Sequence, residues 1–317
     1  MVDSGSETGV GMSGSVGKRS FGGNRFIAWL ALLVTAIAAC RAPEGPRAGT
    51  TPGSGTTTPQ TSSAAASPQI VLPLPGLEHP RKLAVDAEGA LYITDSSEKP
   101  RVVKFPPGTS DPTALPFTDV QTPNFVAVDR SGGVYVSDYT QNKVLALAAG
   151  AALPKTLPFN GLQLPSGVAT DAAGALYVAD TGNDRVLKLP AGADNPIVLP
   201  FSGLFRPVGV AVDSAGAVYV SDMRQFVLKL PPGADVSTDV PFSGLTNPSG
   251  VAVDGAGSVF VADSSNNRVL KMVAGSTTQI ELPFNGLRNP EGLAVDPGGN
   301  LYVVDAGNNR VLKLAAA

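Results

Sequence analysis

The chain has 317 residues, a formal net charge of −3, 43% hydrophobic residues, and a single cysteine and a single histidine. This balance supplies no basic face of the kind that neutralises a nucleic-acid backbone, so nucleic acid is excluded as an expected partner. One cysteine and one histidine exclude an internal disulfide, a Cys/His zinc cluster and a thiol catalyst in the mature chain.

The first segment reads as an address. Lys18, Arg19 and Arg25 precede an apolar run over residues 26–39 that ends at Cys40. A basic region followed by a short apolar one predicts a secretory signal over residues 1–39, too short to be a comfortable spanning helix. Met12 is an alternative start, because the ten residues before it add nothing to the signal. Ile37, Ala38, Ala39 and Cys40 resemble the bacterial lipobox, which implies cleavage before Cys40 and a diacylglyceryl thioether on its sulfur. Two acyl chains anchor stably at about 0.8 kcal/mol per buried methylene. The expectation is an extracytoplasmic chain tethered to the cell membrane. Residues 40–68 follow as the lipidated cysteine and a Thr/Ser/Pro/Gly-rich stalk, whose composition cannot offset its own ordering entropy and permits O-glycosylation.

From residue 69 onward one unit recurs six times. Each copy carries two aspartates nine residues apart: Asp86/Asp95, Asp129/Asp138, Asp171/Asp180, Asp213/Asp222, Asp254/Asp263 and Asp296/Asp305. Successive copies lie 43, 42, 42, 41 and 42 residues apart. A period near forty, filled with short strands, marks a β-propeller or a similar array. In the fifth copy, residues 250–254 form a mostly apolar first strand. The Asp-x-x-Gly turn at Asp254–Gly257 comes next, with glycine at the positive-φ place. Residues 258–263 make a second strand, 268–272 a third, and 280–284 a fourth whose proline suits only an edge. The sixth copy lacks this fourth strand, and the missing piece stands at residues 70–74. The expected fold is therefore all-β: a six-bladed β-propeller of four-stranded antiparallel blades over residues 69–317. The N-terminal strand should pair with the last blade, close the ring and leave no sheet edge open. A monomer is expected.

Pro-x-Gly-Val/Leu-Ala-Val-Asp, then Leu-Tyr-Val-Ala-Asp, then Asn-Asn-Arg-Val-Leu-Lys-Leu resembles the NHL repeat, over roughly residues 70–317. The Leu-Pro-Phe-x-Gly-Leu segment between copies is most similar to the extracellular sensor domain of the mycobacterial receptor serine/threonine kinase D. The resemblance implies an NHL propeller on the outer side of the membrane, acting as a binding head. These 317 residues contain no kinase domain or spanning stretch, so signalling by phosphorylation is not carried over.

Six-fold repetition assigns both sets of aspartates to turn and repeat chemistry, and the Asn and Arg residues after the second aspartate (Asn183/Arg185, Asn267/Arg268, Asn309/Arg310) to structure. Function is expected where the repeat breaks, on the face where the loops entering first strands and leaving second strands meet around the channel. Lys82 and Phe125 stand where other copies carry glycine. Tyr139 and Met223 are bulky where other copies are small. The loop after Asp222 is one residue short, and that after Asp95 one residue long. Together Arg81, Lys82, Asn124, Phe125, Tyr139, Arg206, Met223, Arg224 and Glu291 outline a cup with cations, one acid and aromatic surface, the side chains favoured in recognition sites.

The leading expectation is a non-catalytic module that binds a protein or cell-envelope ligand, with no metal or cofactor. Two alternatives stand beside it. One is a lyase- or lactonase-type propeller enzyme. Zinc would have only His79 to bind, while calcium would draw on Glu291, Asn124, Asn247 and Asn289. The other is a structural assembly lipoprotein that uses the side or bottom of the ring.

Overall fold

The computed structural model describes residues 69–316, so the expected signal segment, lipidated Cys40 and stalk lie outside the described residues. Within them are six sheets, each of four antiparallel strands. In the first blade the strands are Pro80–Val85, Leu91–Asp95, Arg101–Phe105 and Thr113–Ala114. The other blades repeat this plan, with innermost strands Pro123–Val128, Pro165–Thr170, Pro207–Val212, Pro248–Val253 and Pro290–Val295. Each innermost strand packs against those of the blades before and after it, and the first meets the last.

The ring closes as the sequence predicts. Ile70–Val71 pairs antiparallel with Arg310–Leu314, Ile70 opposite Lys313 and Val71 opposite Leu312, and supplies the outer strand of the sixth blade. The outer strands are shorter than expected. In the fifth blade the ladder covers Gln279–Glu281 and stops before Pro283. Leu282 N–H still reaches Val269 O at 2.9 Å, and Phe284 N–H then bonds Leu282 O at 2.8 Å. That second bond spans a γ-turn centred on the proline, which has no N–H to give a ladder. Equivalent bonds occur at Leu74, Phe117, Phe159, Phe201 and Phe242. The turn drives the flanking Leu and Phe side chains between blades, where Phe117 and Phe159 are buried among valines and leucines of adjacent sheets.

Both aspartate sets have structural work, as read from the repeat. The first closes the hairpin. Asp129 Oδ1 accepts from Ser131 N and Gly133 N, each at 2.8 Å, and Oδ2 accepts from the Tyr135 hydroxyl at 2.8 Å. The second set is buried and holds the loop leading into its own blade. Asp263 accepts from Thr246 N at 2.6 Å and from Arg268 Nε at 2.8 Å. The asparagines need one correction. Asn183, Asn266 and Asn308 donate to these carboxylates at 2.8 Å each. Asn267 and Asn309, paired above with the neighbouring arginines, are instead the left-handed residues that end the loop, at φ 55° and 50°.

Neighbouring blades approach closely at the glycines near the start of the inner strands. A Cβ on Gly250 would lie 2.5 Å from Glu291 O, and one on Gly209 would lie 2.6 Å from Ser249 O. Lys82 and Phe125 occupy this position in the first two blades. There the hydroxyls of Thr94 and Ser137 bond across to Asn124 O and Ser166 O, at 2.8 and 2.6 Å.

Candidate functional site

All six blades contribute to one cavity of about 610 Å³. Its walls come from the residue after each lead-in proline, from Thr122, Arg206, Asn247 and Asn289 directly before four of those prolines, and from the residue after the second aspartate in blades one to five, so the cup sits at the mouth of the channel. The residues after the second aspartates alternate. Ser96, Thr181 and Ser264, in blades one, three and five, turn their hydroxyls to the carbonyls of Pro123, Pro207 and Pro290 in the following blade, at 3.2, 2.6 and 2.6 Å. Tyr139, Met223 and Ala306 hold the same place in blades two, four and six.

A buried ion pair forms the floor. Lys82 is 3% exposed, and its Nζ lies 2.9 Å from Glu291 Oε2, 2.9 Å from Ser249 Oγ and 4.9 Å from the centre of the Phe125 ring. One ammonium thus ties blades one, two, five and six. Arg81 Nε approaches the same Glu291 oxygen at 3.3 Å, and the other, Oε1, accepts from Asn289 Nδ2 at 2.9 Å. Burial pulls the Lys82 pKa down from its usual range, against the attraction of the Glu291 carboxylate. Burial also pushes Glu291 up, but the charges of Lys82 and Arg81 more than offset it and hold the carboxyl below its usual value.

Seven of the nine residues expected in the cup line it: Arg81, Lys82, Asn124, Tyr139, Arg206, Met223 and Glu291. Two do not. Phe125 is 8% exposed and packs between blades two and three with Phe159, Leu162 and Val168. At the glycine position a side chain points sideways towards the next blade, and only one as long as lysine reaches the channel. Arg224 is exposed outside the cavity, with Nη1 on Gly203 O at 3.1 Å and its guanidinium 5.5 Å from the Phe205 ring. The shortened loop of blade four redirects it. Ser166, Ser249 and Thr140 line the cup without having been singled out, and Asn247, named above only as a calcium ligand, lines it too. The serines look like ordinary repeat residues, because Pro-Ser-Gly recurs in two copies.

Blade four departs in another way. Phe226 stands where blades one, three, five and six carry arginine, and Gln225 takes the left-handed place at φ 76°. Asp222 consequently lacks the arginine that four sister aspartates hold, and burial pushes its carboxyl above the usual value. Phe205, Met223 and Phe226 are all exposed there.

The fit to a metal is poor at Glu291, the only carboxylate in the cup, because a cation would have to displace an ammonium and a guanidinium from it. Among the described residues, no three or more His, Cys, Asp and Glu side chains are grouped to hold a metal ion. His79 is exposed and outside the cup lining.

The sequence profile of the NHL repeat matches residues 162–189, 245–272 and 287–314. No match to the chain is found among curated proteins. Solved structures share the fold. A nidogen/laminin complex aligns with TM-score 0.61 and 21% identity, over 68% of this chain and 84% of that one. Virginiamycin B lyase from Staphylococcus aureus, a catalytically inactive variant with quinupristin, gives TM-score 0.61 and 15% identity, over 78% and 85%. An auxiliary nutrient binding protein from Bacteroides thetaiotaomicron gives 0.63 and 12%, over 76% and 69%. At these identities the likeness concerns the fold alone. The chain is a six-bladed β-propeller of four-stranded antiparallel blades in which NHL repeats recur.

Proposed function

We propose that this chain is a non-catalytic binding module that holds a protein or cell-envelope ligand in its cup. The observation that carries the reading is the placement of irregularity. Side chains that break the repeat (Arg81, Lys82, Tyr139, Arg206, Met223 and Glu291) converge on one cavity, while the repeated aspartates hold turns and loops. Scaffold residues recur in every blade, whereas a single ligand needs different groups from each. The engaged state of Glu291 and the distance of His79 from the cup support binding over metal-assisted or histidine-based chemistry.

The signal-like residues before Cys40 support an extracytoplasmic module on a lipid tether, similar in role to a receptor-kinase sensor head. The purified protein is used as bait on envelope extract beside an Arg81→Ala, Tyr139→Ala, Arg206→Ala triple variant. Capture by the wild type and its loss in the folded variant is the expected result. Equal capture by both moves the site to the side or bottom of the ring. No capture by either raises the enzyme reading, and bound metal and turnover are then assayed.

A further inference from the structure

We propose that the cup takes a hydroxylated organic oxyanion, a uronate or a sugar phosphate, held between Arg81 and Arg206. This rests on the binding reading above and gives its ligand a chemical class. The cup lining carries three cations, Arg81, Lys82 and Arg206, against the single acid Glu291, within a chain of net charge −3. The acid is spent: one oxygen serves Lys82 and Arg81, the other Asn289. Lys82 is spent as well, on Glu291 and Ser249.

Two guanidinium groups remain. The Arg81 side chain is 47% exposed and comes nearest to Glu291 at Nε, 3.3 Å away, while its two terminal nitrogens make no hydrogen bond among the described residues. Arg206 is anchored by its backbone, whose N–H donates to Asp184 Oδ1 at 2.6 Å, and its side chain has no partner among the described residues. The arginines that belong to the repeat itself are engaged. Arg101, Arg185, Arg268 and Arg310 each spend their guanidinium on a buried aspartate. Blades one and four are opposite members of the six-blade ring, so the two unspent cations stand on opposite sides of the mouth.

A planar guanidinium with free terminal nitrogens matches a carboxylate or phosphate by paired, charge-assisted hydrogen bonds. The rest of the wall is neutral. The Tyr139 hydroxyl and the Asn247 amide have no partner among the described residues and offer both donors and acceptors to ligand hydroxyls. The cavity volume lies within the usual range for small-ligand sites.

The test is titration calorimetry in low salt with three probes: trigalacturonate, glucose 6-phosphate and the neutral maltotriose. At least one acidic probe is expected to bind, with maltotriose at least tenfold weaker. The stronger acidic probe identifies carboxylate or phosphate. Arg81→Ala and Arg206→Ala should each weaken binding at least tenfold, and Arg130→Ala, outside the cup, less than twofold. Both cup arginines are solvent-facing, and thermal melts confirm that the variants are folded. No binding of either acidic probe overturns the inference, as does maltotriose binding equally well or Arg130→Ala weakening binding as much as Arg206→Ala. Equal binding of maltotriose that the cup variants reduce leaves the cup a ligand site and removes only the anion. If no probe binds, capture from envelope extract still decides the broader reading separately.

Discussion

Glu291→Gln is the substitution to which the floor of the cup should be most sensitive. It keeps shape and the Asn289 contact but removes the charge, leaving the Lys82 ammonium 3% exposed beside Arg81 with only Ser249 and the Phe125 ring as partners. Breaking one side of a buried pair costs about 3–5 kcal/mol, because the surviving charge is uncompensated. For a body of this size that corresponds to a fall in melting temperature of roughly 6–20 °C. The sign of the pH dependence follows from Lys82. Its folded-state pKa is depressed, so the unfolded chain binds the proton more tightly, and stability rises as pH climbs from the folded value towards 10.5. Losing Glu291 depresses the lysine further and widens that window, so the deficit of the variant should shrink as pH rises towards 10.5. It should also shrink in acid, where the wild type loses its own carboxylate: Glu291 is held below 4.5, so its contribution is present above that value and lost as pH falls through the folded pKa. The Lys82→Met, Glu291→Gln double variant should return to within about 1 kcal/mol of wild type, because it leaves no uncompensated charge at Lys82 and the neutral amide keeps its Asn289 partner. Urea melts at pH 4, 7 and 9.5 measure all of this. A Glu291→Gln cost under about 1 kcal/mol at pH 7, or a double variant no better than the single, would refute a buried and coupled pair.

Three further outcomes follow from the scaffold. Gly250→Ala places a Cβ 2.5 Å from Glu291 O and should cost about 1–3 kcal/mol in denaturant melts, whereas Gly255→Ala, with nothing within 4 Å, should change stability by less than about 0.5 kcal/mol. The Tyr135 and Tyr302 pKa values are pushed up to about 12, first by burial and then by Asp129 and Asp296 respectively. Ultraviolet titration should show them ionising late, and stability should fall between pH 10 and 12, because the folded state holds those protons and the unfolded state does not. Deleting residues 1–74 removes the closing strand and bares the Arg310–Leu314 edge. Size-exclusion chromatography should then show association at concentrations where the intact chain is monomeric.

The ring was legible because its cause is repeated. Two aspartates at fixed spacing, each followed by the same turn and loop needs, specify every hairpin six times over, and the missing sixth outer strand points to its replacement at Ile70. The length of the outer strands was not legible, because Leu-Pro-Phe reads equally well as an edge strand or a γ-turn, and only packing between blades decides. In the cup, irregular positions were visible but their directions were not. Lys82 and Phe125 break the same glycine position, yet one crosses the channel and the other fills the gap between blades. The shortened loop after Asp222 was seen, but not that it turns Arg224 out of the cup. Nor does spacing show that Lys82 would meet Glu291, 209 residues away, since that contact exists only once the ring is closed.

That closure also sets an order of events. Ile70 pairs with Lys313, so the strand made first belongs to the blade made last. Blades one to five can assemble from neighbouring sequence as the chain emerges, but the sixth needs both ends at once. Contacts of such long separation form late and slowly. Until the last residues are free, the inner strand of the first blade lacks its neighbour, and the Lys82–Glu291 pair cannot exist. Completion of the ring and completion of the cup floor are one step, and a chain cut short in its final blade would lose both together.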